Sequence, residues 1–374
     1  MQRNVSILPL ACLAALGWGA PDVEFVKTVV DTRFVAEGVA VGDVNRDGRL
    51  DILAGNVWYE APGWTTHEIA PVAAIEPKTG YSNCFNSWAE DLNHDGWVDQ
   101  ILIGPPGEKA VWRENPKGGS GPWKEHLVWR SACNESPLYA DLFKDGKRVL
   151  VMGTDDEYLA WFEPAEDPYA EWICHPVSGL KGAGSQRYSH GLGVGDVDGD
   201  GRNEILTTAG AYSGSREGPW VFAKAALGPE CAQMLVFDGN GDGRPDVFST
   251  SAHARGVWWF EQGAEGGFQR HLVDETISET HSVNLVQFGK TVNLITGKRK
   301  WAHPPGVDVG SEEPSLLVRY ERGADGTWVR HVIDDASGVG TQFVAQDMNG
   351  DGLVDLVIAN KNGVFLFEQK AAPW

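Results

Sequence analysis

Two kinds of chemistry are suggested by the spacing of polar residues in this sequence. The stretch GDVNRDGRLDILAG places Asp43, Asn45, Asp47 and Asp51 around one glycine. Carboxylates crowded this closely repel one another, so the spacing makes sense around a cation. Side chains at loop positions 1, 3 and 5 converge, the glycine turns the chain, and a later acid closes an oxygen-only shell suited to Ca²⁺. The pattern recurs at Asp91, Asn93, Asp95 and Asp99; at Asp196, Asp198, Asp200 and Glu204; at Asp238, Asn240, Asp242 and Asp246; and at Asp347, Asn349, Asp351 and Asp355. A damaged copy begins at Asp141. These residues are the expected calcium ligands, with blade stabilisation as their role. The same residue types also build plain turns through Asx hydrogen bonds, with no ion required.

The second chemistry is that of histidine. His67, His126, His175, His271 and His331 recur in an aromatic-x-x-His pattern (WTTHEI, WKEHLV, WICHPV, FQRHLV, WVRHVI), which predicts packing. His94 lies inside an acidic loop. His190, His253, His281 and His303 follow no repeat, so they are the ones to place in space.

The elements that position them come from the repeat. Each unit has an apolar run before the acidic loop (EGVAVGD, HGLGVGD) and a β-branched run after it (DILAG, EILTT, DLVIAN). An aromatic strand ending in an acid follows (VWYE, AWFE, VFLFE), and then the strand carrying the repeated histidine. Four short strands per unit, with a unit length of about 50 residues, predict an all-β, seven-bladed β-propeller over residues 21–374. The last unit lacks its fourth strand, and FVKTVVD at residues 25–31 is an orphan of the right kind. The two chain ends are therefore expected to complete one blade and remove an open sheet edge.

The D-x-[ND]-x-D-G-x-x-[DE] loops resemble the FG-GAP/VCBS repeats of integrin-type propellers. The strings SHGLGVGDVDGDG, TSAHARGVWWFEQ, THS and TGKRKWAH resemble a bacterial group of exported propellers related to the propeller part of aldos-2-ulose dehydratase. That resemblance implies metal-dependent elimination of water from keto-sugars. The dehydratase carries further domains that this sequence does not contain.

In a propeller, the start of each innermost strand and the connection after each second strand lie on one face. His190 and His281 occupy the first kind of place, and His253 and His303 the second. All four should ring one mouth of the central channel. Glu37 and Glu135 hold positions equivalent to His190, and Gln233 and Gln342 come one residue later in their units. Two imidazoles and a carboxylate suit Zn²⁺ or a similar divalent ion, so His190, His281 and Glu135, with Glu37, form the expected channel-mouth metal set. His253 and His303 are the expected bases. The long connection TGKRKWAHPPGVDVGSEEP adds Lys298 and Arg299 to stabilise an enolate and Trp301 to stack on a sugar, with Gln233 and Gln342 as further substrate contacts.

Two functions use this arrangement. One is a carbohydrate-active carbon–oxygen lyase of dehydratase type. The other is a non-catalytic calcium-binding propeller for a polysaccharide or protein ligand. The formal charge of −21 argues against a nucleic-acid partner. Residues 1–20, with Arg3 ahead of a short apolar run, read as a signal peptide, which predicts a secreted or periplasmic protein. No later segment reaches membrane-spanning length.

Overall fold

The β-branched runs after the acidic loops become the most buried strands of the molecule. Asp51–Ala54, Val149–Thr154 and Asp355–Asn360 are buried at every position, whereas the histidine-bearing strand Thr65–Glu68 is largely exposed. A strand covered on both faces needs a continuous apolar run, while an edge strand needs only one such face. The computed structural model describes residues 23–371 except 120, 155, 156, 229, 230, 290 and 324. The expected signal peptide lies outside the described residues.

The chain folds as an all-β propeller built from antiparallel meanders. Five blades stand as separate four-stranded sheets, where the repeats predict seven units. The other eight strands form one sheet, because the meanders 193–224 and 231–278 are bridged by a parallel pairing of Gly193 with Met234. Gly193 permits that approach: a Cβ there would meet the Met234 side chain and carbonyl at 2.7 Å.

The strand Phe25–Asp31 pairs antiparallel with Gly363–Gln369 and completes the last sheet. Lys27 reinforces the closure with an ion pair to Asp334 at 3.0 Å. The core lies between sheets rather than within one. One apolar layer joins Val39, Ile52 and Tyr59 to Val357 and Leu366 from the far end of the chain. Another joins Ile101 and Trp112 to Leu150 and Phe162.

The repeated histidines belong to this packing. His67 stacks on Trp58 at 4.2 Å and meets Glu60 at 2.8 Å, and His175 stacks on Trp161 at 3.7 Å and meets Glu163 at 3.0 Å.

The acidic loops are held by backbone hydrogen bonds to their first and ninth acids. Asp43 accepts the backbone N–H groups of Asp47 and Gly48, both at 3.0 Å, as an Asx turn does. Asp51, however, is buried and receives the N–H of Val44 on one oxygen and that of Ala61 on the other, both at 2.9 Å. Asp99, Asp246 and Asp355 repeat this with Leu92 and Asn115, with Gly239 and Gln262, and with Met348 and Gln369. These acids fasten each loop to the strand two places on, because a buried carboxylate must be hydrogen-bonded. Cations of the chain also reach some loops: Arg49 pairs with Asp47 at 2.6 Å and Lys117 with Asp95 at 3.3 Å. Among the described residues, Asp196, Asp198 and Glu204 are the loop acids whose ligand atoms gather within 4.8 Å of one another.

Candidate metal centre and its surroundings

Four side chains from different parts of the ring meet at one mouth. Glu135 stands just before the strand Leu138–Ala140, His190 before Gly193–Gly195 and His281 before Val283–Phe288. His253 stands in the turn after Asp246–Ser251. The backbone N–H of Glu135 donates to the Ser189 carbonyl at 2.9 Å, which ties two neighbouring entry segments together. One ligand atom from each of Glu135, His190, His253 and His281 lies within 4.8 Å of the others. The imidazoles face one another edge-on: His190 and His253 are 4.9 Å apart between centroids, His190 and His281 5.4 Å, and His253 and His281 5.0 Å.

Protonation and hydrogen bonding leave these rings poised to bind a cation. Burial, followed by the Arg299 charge, pushes the His281 pKa well below its ordinary value, so the ring is neutral. Burial and the neighbouring His190 push His253 down to about 4. His281 Nδ1 lies 3.3 Å from the Glu279 carbonyl, the contact that fixes the tautomer with a bare Nε2. That Nε2 and the Nε2 of His190 are buried with no hydrogen-bond partner among the described residues. The nearest carboxylate to His190 is Glu135, at 3.4 Å. Burial works against ionisation of Glu135, but the facing His190 and the charge of Arg299 hold its pKa below the ordinary value. An orphaned His281 Nε2, beside a His190 Nε2 that has only the 3.4 Å approach to Glu135, is a costly arrangement without a cation and a fitting one with it.

His303 and Asp308 stand beside this set. His303 Nδ1 lies 3.0 Å from both oxygens of Asp308, and the His303 backbone N–H donates to the same carboxylate at 3.2 Å. His253 presents its own Nδ1 to Asp308 at 3.4 Å and stacks on His303 with centroids 4.4 Å apart. His253, expected as a base, therefore joins the metal set, whereas His303 keeps Nε2 outside this contact. Asp308 was not singled out from the sequence. Its signal was a carboxylate in the same loop as His303, five residues on in a Gly- and Pro-rich stretch.

Several expected site residues are structural instead. Glu37 is fully buried, with one oxygen held by Arg299 and the other by the Ser82 N–H and hydroxyl, each at 3.0 Å. It takes no part in the metal set. Lys298 is buried and spends its ammonium on Glu279 and on the carbonyls of Arg299 and Ser311, each carbonyl at 3.3 Å. Arg299, equally buried, is paired with Glu37. Neither is placed to meet an enolate: both moor the root of the long loop. Glu279 also accepts the Ala302 N–H at 2.8 Å, which fixes the segment carrying Trp301 and His303.

Gln342 exchanges hydrogen bonds with the Ser87 backbone, both at 2.8 Å, and Gln233 accepts from Val283 N–H at 3.2 Å. Both are buried ties between innermost strands, so they are not substrate contacts. Trp301 remains half-buried in the long loop, at a positive φ of 51°. The groove lined by Trp58, His67 and Trp123, at the outer edge of the ring, contains none of the non-repeating histidines.

No protein-family model matches the sequence, and no curated protein matches it. Solved structures resemble it in fold. BBS1N in complex with ARL6DN, soaked with lead, is 11% identical over 94% of this chain and 97% of that chain, with a TM-score of 0.53. Rhamnogalacturonan lyase YesW is 13% identical over 93% and 73%, with a TM-score of 0.44. The PQQ-bound aldose sugar dehydrogenase from Streptomyces coelicolor is 13% identical over 94% and 100%, with a TM-score of 0.42.

Proposed function

We propose that this chain is an exported, carbohydrate-active carbon–oxygen lyase whose working site is the histidine-lined mouth of a seven-bladed propeller. The eight-stranded sheet counts as two blades in this reading, and the repeated acidic loops support reading the chain as an FG-GAP/VCBS-type propeller. The observation that carries the proposal is the set of Glu135, His190, His253 and His281, in which the buried His281 Nε2 has no hydrogen-bond partner among the described residues and His190 Nε2 has only Glu135, at 3.4 Å. These four residues would hold Zn²⁺ or another first-row divalent ion. When bound, such an ion supplies Lewis-acid polarisation of a sugar carbonyl or carboxylate.

The remaining work falls to the chain's own residues. Asp308 accepts from Nδ1–H of His303 and so presents a basic Nε2. His303 takes the proton from the carbon next to the polarised carbonyl. The C–O bond at the neighbouring carbon breaks, and the leaving oxygen departs as water after accepting a proton, so substrate equals unsaturated product plus water. Trp301 offers a flat face for the sugar. Calcium in the acidic loops, with Asp196, Asp198 and Glu204 as the best-gathered set, would stabilise the blades.

The test is turnover of keto-sugars followed by the absorbance of the unsaturated product. His303→Gln should lower the rate by about 10²-fold or more while metal content stays at the wild-type level. Unchanged turnover in this variant would remove His303 as the base. No turnover by wild type on any keto-sugar or uronide would favour the non-catalytic binding propeller.

A further inference from the structure

One lysine has no ion pair among the described residues, although the charges of Glu37, Arg299 and Glu279, themselves engaged in the Arg299–Glu37 and Lys298–Glu279 pairs, act on it. Lys361 follows the strand Asp355–Asn360, at the same strand exit in its sheet as His253 in its own. It is only 5% exposed. The buried cationic side chains among the described residues are Arg113, Lys298, Arg299, Arg319 and Lys361. The first four each face a carboxylate: Glu125, Glu279, Glu37 and Glu321. Lys361 has neither an ion pair nor a hydrogen bond to its ammonium among the described residues. It rests over the Tyr81 ring at 4.4 Å, which leaves its three N–H donors unspent.

Tyr81 connects this lysine to the histidine side of the mouth. Its hydroxyl donates to the Ala302 carbonyl at 3.0 Å, next to His303, and the charges of Glu135 and Asp308 both act on it. Trp301, in the same loop, has Lys300 at 4.3 Å and Lys78 at 5.8 Å from its ring. Neither lysine has a carboxylate partner among the described residues. Three lysines without ion pairs among the described residues thus flank two aromatic rings, beside the carboxylates of Glu135 and Asp308. The Lys361 side chain is buried, but its ammonium reaches the solvent of the mouth, so an anionic sugar there meets three free donors and a ring to stack.

We infer that this mouth takes an anionic glycan, with an acidic group seated on the Lys361 ammonium and sugar rings laid along Tyr81 and Trp301 towards the histidine cluster. The inference rests on the lyase reading for the position of the reacting sugar, but the anion seat stands on Lys361 and Tyr81 alone. Burial pushes Lys361 down to about 8, so the charge that holds the anion is lost as pH rises through that value.

The test is binding, measured by calorimetry on the full mature chain with trigalacturonate (carboxylates), a sulfated trisaccharide (sulfate esters) and maltotriose (neutral). At least one anionic probe should bind at pH 7 and weaken by about tenfold or more in Lys361→Met, the loss expected for one charge-assisted hydrogen bond. Wild-type affinity should also fall between pH 7 and pH 9. Lys361→Arg, which retains the cation, should stay within a few-fold of wild type and serves if the Met variant folds poorly. Equal binding of maltotriose, or an affinity indifferent to Lys361→Met and to pH, would overturn the inference. A protein that binds trigalacturonate through Lys361 but turns nothing over sinks the lyase reading alone. Turnover of neutral keto-sugars that is unchanged in Lys361→Met sinks the anion seat alone.

Discussion

Asp308 sets what His303 can do. A histidine that is 44% exposed at its side chain would otherwise sample both tautomers, and only one of them presents Nε2 as an acceptor. With both carboxylate oxygens 3.0 Å from Nδ1, the proton is fixed on that nitrogen. Asp308→Asn keeps the size but offers an amide that can turn its NH₂ towards the ring and reverse the tautomer. Turnover should fall by about 10²-fold or more while folded fraction and metal content stay at the wild-type level. A merely structural role would instead lower the amount of folded protein and leave the activity of what remains unchanged. At this scale the sequence was readable where residues broke a repeat: His190, His253, His281 and His303 stood out against the five histidines that obeyed it. It misled where a charge looked free. Lys298 and Arg299 read as loop cations, but their partners Glu279 and Glu37 are distant in sequence and meet them only in the folded ring. Lys361 was missed because an isolated lysine after a strand carries no pattern.

The acidic loop is the unit in which sequence and structure diverge most. Its spacing gives the turn and the strand that follows. It does not give the destination of the ninth acid, because a calcium ligand and a backbone fastener are the same residue type at the same place. In this fold Asp51 satisfies two buried N–H groups, on Val44 and Ala61. Asp51→Ala should therefore cost about 2–6 kcal/mol in urea unfolding at pH 7, since each of the two orphaned donors costs about 1–3 kcal/mol. That loss should appear equally with excess chelator and with millimolar calcium. A deficit that vanishes when chelator is present in both proteins would return Asp51 to the calcium shell. The Asp196 loop differs in carrying a carboxylate, Asp198, where the other four intact loops have Asn, and its Asp196, Asp198 and Glu204 oxygens gather within 4.8 Å of one another. Calcium should accordingly hold most tightly there.

Neighbouring blades together assemble the candidate metal set. Glu135 comes from the sheet 138–176 region, His190 and His253 from the two meanders of the eight-stranded sheet, and His281 from the entry to sheet 283–334. No local segment holds more than one of these residues, so the site needs four consecutive meanders packed side by side. Closure of the ring depends on residues 25–31 pairing with 363–369. This architecture was legible from repeat order alone, including the exchange between the two chain ends, because strand type follows from burial and burial from position in the ring. Blade separation was less legible, since the merging of two meanders turns on a single close approach at Gly193. The central claim, that four side chains from neighbouring blades bind one ion, is tested most directly by elemental analysis of the purified mature protein beside its His190→Ala/His281→Ala variant. The account predicts about one transition-metal ion per chain in wild type, lost in the variant with calcium content and circular dichroism unchanged. Calcium alone in both proteins would contradict it.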